Sequence, residues 1–294
     1  LLPLVCTGCP RSAQGLLEGA DKLEGERHYA AALAGYRDAL RRLGQDDGQL
    51  AREVRTKTLA HLADLCYLDM ADTRCASETY QRLLESYPDA PESYQARIHY
   101  AEMLRSRSGD FRGAIAQYKA LVSAYPDRAG ADSFQLQAAQ GYFELADYEQ
   151  AKTEARALLD RFPKGAAVPQ ARLLLANCFE MEGRRQEAIA AYQELIEHTA
   201  AGEVSSRAQL ALAKLLEQGG SDARALDALL DCLKTYPDPM LIQHEIARLQ
   251  RKMAEAKRLA VAPDAFDHGV PGKHSRKVAA VAVDPDRGQT GDEE

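Results

Sequence analysis

Ala76-Ser-Glu-Thr-Tyr-Gln-Arg-Leu-Leu-Glu-Ser-Tyr-Pro88 and Ala114-Ile-Ala-Gln-Tyr-Lys-Ala-Leu-Val-Ser-Ala-Tyr-Pro126 share one pattern, Ala-x3-Tyr-x2-Leu-Leu/Val-x2-Tyr-Pro. Looser copies keep the same register: Ala32 with Tyr36, Ala151 with Leu158 and Phe162-Pro163, Ala188 with Tyr192 and Leu195, and Ala225 with Leu229 and Tyr236-Pro237. The marker alanines are spaced by 44, 38, 37, 37 and 37 residues. A near-constant period of this size means stacked supersecondary units, none of which can bury its apolar face alone. A second small residue precedes each marker by 12 or 13 positions: Ala20, Ala63, Ala101, Ala139, Ala176 and Ala213. Three residues further on stands Leu23, Cys66, Leu104, Tyr142, Phe179 or Leu216. Each unit therefore reads as two antiparallel helices, with paired alanines for close approach and large residues in the seam. Tyr-Pro ends the second helix, because the residue before proline is pushed out of helical geometry. Gly109-Asp110, Gly183-Arg184 and Gly219-Gly220-Ser221-Asp222 fall at the turns, where Gly stops one helix and Asp can cap the next. The loop Gly44-Gln45-Asp46-Asp47-Gly48 accounts for the one longer spacing.

Composition agrees with this reading. The chain of 294 residues carries 51 alanines against 16 valines and isoleucines together, which disfavours sheet and favours helix. A formal charge of −7 offers no electrostatic footprint for nucleic acid, and no apolar run is long enough for a membrane span. There is no Gly-rich phosphate loop, no Gly-x-Ser-x-Gly and no His-Glu-x-x-His; His244-Glu245 lacks the second histidine one turn on. The expectation is a chain with no catalytic site, no cofactor and no metal.

The repeats at residues 12–237 resemble the tetratricopeptide family, in the long-looped form that closes on Tyr-Pro. That form is similar to periplasmic helical-repeat proteins of the outer-membrane-assembly lipoprotein D and Tol-Pal coordinator types. The resemblance implies an all-α fold: a right-handed superhelical solenoid of about six helical hairpins. Residues 238–260 read as a capping helix, with Leu241, Ile242, Ile246, Leu249, Met253 and Leu259 at helical spacing. Residues 261–294, with Pro263, Pro271 and Pro285 and few large apolar residues, read as a disordered tail.

Residues 1–11 read as a signal remnant or lipid tether. Thr7-Gly8-Cys9 resembles the end of a bacterial lipoprotein signal, which implies acylation at Cys9, although Cys6 stands where leucine is usual. Pro10 after the acylated cysteine then implies sorting to the outer membrane. A Cys-x-x-Cys redox or zinc reading of Cys6 and Cys9 finds neither a sheet context nor a second ligand pair. Cys66 and Cys75 lie on facing helices of one hairpin and are candidates for a disulfide. Cys75, one residue before its marker alanine, can also point away.

In this repeat type the first helix of each hairpin lines a concave groove, and positions one and four after the first alanine, or two and six before it, project into it. They hold Asp21 and Glu24; Lys57, His61, Asp64 and Tyr67; Gln95, His99, Glu102 and Arg105; Gln137, Gln140 and Phe143; Asn177 and Glu180; and Lys214. Mixed charge with two aromatics suits recognition of a peptide segment or partner helix. The expected function is a lipid-anchored periplasmic scaffold for other envelope proteins, with the outer membrane reached through the lipid. A pilot lipoprotein for secretin assembly and a soluble cytoplasmic adaptor are the alternatives.

Overall fold

The computed structural model describes residues 10–261. Cys9 and the residues before it, and the tail from residue 262 on, lie outside the described residues. The chain divides into two compact units, residues 1–247 and 248–294. The first contains six consecutive hairpins: α1 (Pro10–Gly25) with α2 (Tyr29–Leu43), α3 (Gln49–Asp64) with α4 (Thr73–Ser86), α5 (Pro91–Met103) with α6 (Phe111–Ala124), α7 (Ala131–Glu144) with α8 (Tyr148–Arg161), α9 (Val168–Met181) with α10 (Arg185–His198), and α11 (Glu203–Gln218) with α12 (Asp222–Cys232). A last helix, α13 (Pro239–Val261), follows, and its Ile242 is fully buried within the first unit. The second unit is described only as the C-terminal part of that helix. No strand occurs among the described residues. From α1 to α12 each helix packs on the next, and the first helices also touch at α1–α3, α3–α5, α7–α9 and α9–α11, which is how a solenoid is built.

All twelve register alanines are 0–2% exposed, so each sits at the closest approach between helices. One glycine shows how tight that approach is. A Cβ added at Gly35 would lie 2.9 Å from the Ala20 Cβ, which cannot rotate away. Elsewhere in a helix Gly→Ala is stabilising by about 1 kcal/mol. Here overpacking outweighs propensity, and Gly35→Ala is expected to lower stability by about 1–2 kcal/mol in urea denaturation. A gain in stability would place Gly35 outside the α1–α2 seam.

The turn inside every hairpin is the same device. The backbone N–H of His28, Asp72, Asp110, Asp147, Arg184 and Ser221 donates to the carbonyl of the bulky seam residue, Leu23, Cys66, Leu104, Tyr142, Phe179 and Leu216 respectively, at 2.8–2.9 Å. Immediately before each donor a left-handed residue reverses the chain: Arg27, Ala71, Gly109, Ala146, Gly183 and Gly220. The two repeats whose alanines stand 13 rather than 12 positions apart absorb the extra residue in a π-helical turn, at Leu65–Asp69 and Leu104–Ser108. Asp72, Asp110 and Asp147 cap the following helices through their side chains. At the last turn the expectation needs correcting: Ser221 holds the cap position and Asp222 is already inside α12. Tyr87, Tyr125 and Phe162, each before a proline, end α4, α6 and α8 at φ of −138°, −132° and −125°. The long first loop is fixed by the buried Arg55, which donates to the Gly44 and Asp46 carbonyls at 2.9 and 3.0 Å and to the Tyr87 hydroxyl at 3.1 Å.

Candidate partner-binding face

At the first two repeat junctions the predicted groove positions of neighbouring first helices come together. Asp21 of α1 accepts from the Nδ1 of His61 on α3 at 2.7 Å. Asp64 of α3 bonds the Nδ1 of His99 on α5 at 2.8 Å, and the Nε2 of His99 meets Gln95 at 2.8 Å. The carboxylates are held from below by tyrosines of the second helices. Tyr36, fully buried, shares its hydroxyl between Asp21, at 2.8 Å, and Glu24. Tyr80 donates to Asp64 at 2.5 Å. Tyr192 donates to Asn177 and Glu180 at 2.7 and 2.5 Å. Sequence reading treated these tyrosines as packing markers only. The detectable signal was the pairing of a tyrosine four residues after the marker with an acid or amide one residue after the first alanine.

The third repeat differs: Arg105 lies at the Tyr118 hydroxyl and favours its ionised form, but burial outweighs it and pushes the phenol pKa up. In the fourth repeat Ala155 replaces the tyrosine, and Phe143 packs against Tyr148 with ring centroids 5.3 Å apart. Gln137 and Gln140 project there, and with Lys57 their side chains hydrogen-bond no other described residue. At the N-terminal end, Asp21, Glu24, Tyr29, His61 and Asp69 border an open recess of about 590 Å³, with Arg27 at its edge. Among the described residues no group of three or more His, Cys, Asp or Glu is disposed to hold a metal ion. No helix there is long and apolar enough to cross a membrane.

Residues 67–129 and 136–203 match one tetratricopeptide-repeat model and residues 207–239 match another, together more than half of the chain. The chain belongs to the tetratricopeptide-repeat family. A solved tetratricopeptide-repeat protein from Parabacteroides merdae, 16% identical, superimposes with a TM-score of 0.52 over 87% of this chain and 95% of that one. MamA is 15% identical over 64% of this chain and 97% of its own, with a TM-score of 0.47. YrrB, described as a tetratricopeptide-repeat protein with an unusual peptide-binding site, is 15% identical over 64% and 90%, with a TM-score of 0.46. No curated protein matches. The tetratricopeptide-repeat fold generally serves as a non-catalytic scaffold for protein interaction.

Two further features bear on the tetratricopeptide face. Cys66, in the π-helical turn after α3, is joined by a disulfide to Cys75 in the first turn of α4, with Cα atoms 5.8 Å apart. Cys178 and Cys232 are free and buried, and burial pushes their thiols up to about 12 and about 11, so both behave as small hydrophobes. The second feature is His99, whose pKa is raised chiefly by its hydrogen bond to Asp64, against a smaller opposing effect of burial. A raised folded-state pKa means stability that is present in full below the unfolded value of 6.5 and lost as pH rises through the folded value. The difference in stability between the wild type and His99→Gln is therefore expected to be larger at pH 5.5 than at pH 9 in paired denaturation curves. An equal difference at both would show that Asp64 does not hold the imidazolium.

Proposed function

We propose that this protein is a non-enzymatic scaffold, lipid-anchored at Cys9 on the periplasmic face of the outer membrane, which binds a segment of another envelope protein along the first helices of repeats two to four. The observation that carries the binding reading is the composition of that face. Lys57, Gln137 and Gln140 have no partner among the described residues, while Asp64, on the same helix as Lys57, is held in place by the buried Tyr80 hydroxyl. Fixed acceptors, uncommitted polar groups and the Tyr67, Arg105 and Phe143 side chains suit capture of an extended or helical segment. The Cys66–Cys75 bridge supports an oxidising compartment, because structural disulfides are rare in the cytosol.

Arg105→Glu combined with Tyr67→Ala tests the binding face: partner recovery after mild crosslinking should fall while helicity is kept. Undiminished recovery would remove the face from the reading. Cys9→Ala tests the anchor separately, and should move the protein from the membrane fraction to the soluble periplasm. Unchanged fractionation would contradict it.

A further inference from the structure

We infer that the cleft between the second helices of repeats one and two is a separate docking site for an acidic, amphipathic segment of a partner protein. The cleft encloses about 830 Å³ between α2 and α4, with α3 as its floor. Leu59 and Leu62 lie on the opposite side of α3 from Lys57, His61 and Asp64, so this site and the first-helix face are independent surfaces.

The other junctions show why this one is unusual. Four residues before the first alanine, repeats three, four and five carry Arg97, Gln135 and Arg172. Each bonds from the floor helix to the second helix of its own repeat: Arg97 donates to Gln117 at 2.9 Å, Gln135 donates to Glu154 at 2.5 Å, and Arg172 ion-pairs with Glu194 at 3.7 Å. Lys119 adds a second bond to Glu154 at 2.5 Å. Repeat two has the apolar Leu59 at that position, and Thr79 where repeats three and four have Gln117 and Glu154. The Thr79 hydroxyl is turned back to the Cys75 carbonyl at 2.7 Å. The polar bonds that repeats three to five make at this position are thus missing, and Leu59 and Leu62 form the floor with Leu40 beside them on the α2 wall.

The rim then selects the occupant. Arg37 and Arg41 line it from α2, and Arg74 and Arg82 from α4. The two carboxylates that line the cleft are already engaged, Glu78 with Arg74 and Asp72 as the cap of α4, and Asp38 beside Arg37 pairs with Arg41. Arg37 and Arg82, both exposed, make no ion pair with any described residue. Register explains Arg37, because it stands where repeat three has Lys119, but the glutamate that Lys119 finds in the next repeat is Thr79 here. Two unengaged guanidinium groups over an apolar floor fit a bulky apolar side chain flanked by aspartate or glutamate. Cys75 also lines the cleft, so the disulfide fixes one wall against the floor helix.

The test is a selection of random phage-displayed peptides on the folded, oxidised protein, followed by affinity measurement with the enriched synthetic peptide. Enriched sequences should place Leu, Ile or Phe between acidic residues. Arg37→Glu with Arg82→Glu should weaken the peptide by about tenfold or more, with a smaller salt dependence of what remains. Arg37→Gln with Arg82→Gln is the substitute if charge reversal lowers helicity. Arg105→Glu with Tyr67→Ala should leave this affinity unchanged. Enriched peptides without acidic residues, full affinity after the arginine changes, or loss on the first-helix variant would each overturn the assignment. So would arginine-dependent binding of phosphatidylglycerol vesicles with no acidic peptide enriched, which would give the cleft to lipid.

Discussion

Lys152→Ala is expected to destabilise the fourth and fifth repeats by about 3 kcal/mol, the lower end of what breaking a buried ion pair costs. Lys152 is 1% exposed, yet its amine lies 2.8 Å from Glu149 and 2.7 Å from Glu182 and over the Phe179 ring at 5.1 Å. Burial alone would lower the lysine pKa; the two carboxylates reverse that and hold it above its ordinary value, so the amine stays charged. Glu149 is largely exposed and can return to water when the lysine goes. Glu182 is mostly buried and keeps only Arg184 at 3.6 Å, which is why the lower figure is expected. Urea denaturation checks the single change. Lys152→Met with Glu182→Leu should recover most of the loss, since neither leaves a charge behind. Wild-type stability in Lys152→Ala would mean the pair contributes nothing.

Reduction of the Cys66–Cys75 bridge is expected to cost about 2–3 kcal/mol, the chain-entropy value for so short a loop. The loss should be local. Hydrogen exchange should rise first in α3 and α4, while α9 to α12 keep their protection, because repeat arrays distribute stability between neighbours. Cys66→Ser with Cys75→Ser should melt at the same temperature with and without reductant. A reductant-sensitive melt in that double variant would shift the effect to a cysteine outside the pair; the buried thiols of Cys178 and Cys232 are not expected to respond.

The hairpins were legible because their signal is periodic: small residues forced by close contact, Tyr-Pro forced by backbone sterics, and a regular interval between them. The turns were only half legible. Gly109, Gly183 and Gly220 advertise a left-handed residue, whereas Arg27, Ala71 and Ala146 adopt the same conformation with a side chain that gives no hint of it. Aspartate at Asp72, Asp110 and Asp147 acts as the cap, but Ser221 displaces Asp222 because the glycine pair before it sets where the turn closes. The candidate face was legible by position and not by bonding. Asp64, His99 and Gln95 were each placed on it singly; they bond to one another directly, and the Tyr80 hydroxyl that holds Asp64 rises from the other helix. The cleft of repeats one and two was invisible for a related reason. Leu59 looks like any core leucine until its register partners Arg97, Gln135 and Arg172 are seen to bond to the second helices of their own repeats.

Site-specific photocrosslinking in cells tests the central claim most directly, with the photoreactive residue placed in turn at Lys57, Gln137 and Gln140 on the first helices and at the exposed Ala157 on α8. One partner adduct shared by the three first-helix positions and absent from Ala157 is expected. An adduct at Ala157 with none at Lys57, Gln137 or Gln140 would contradict it.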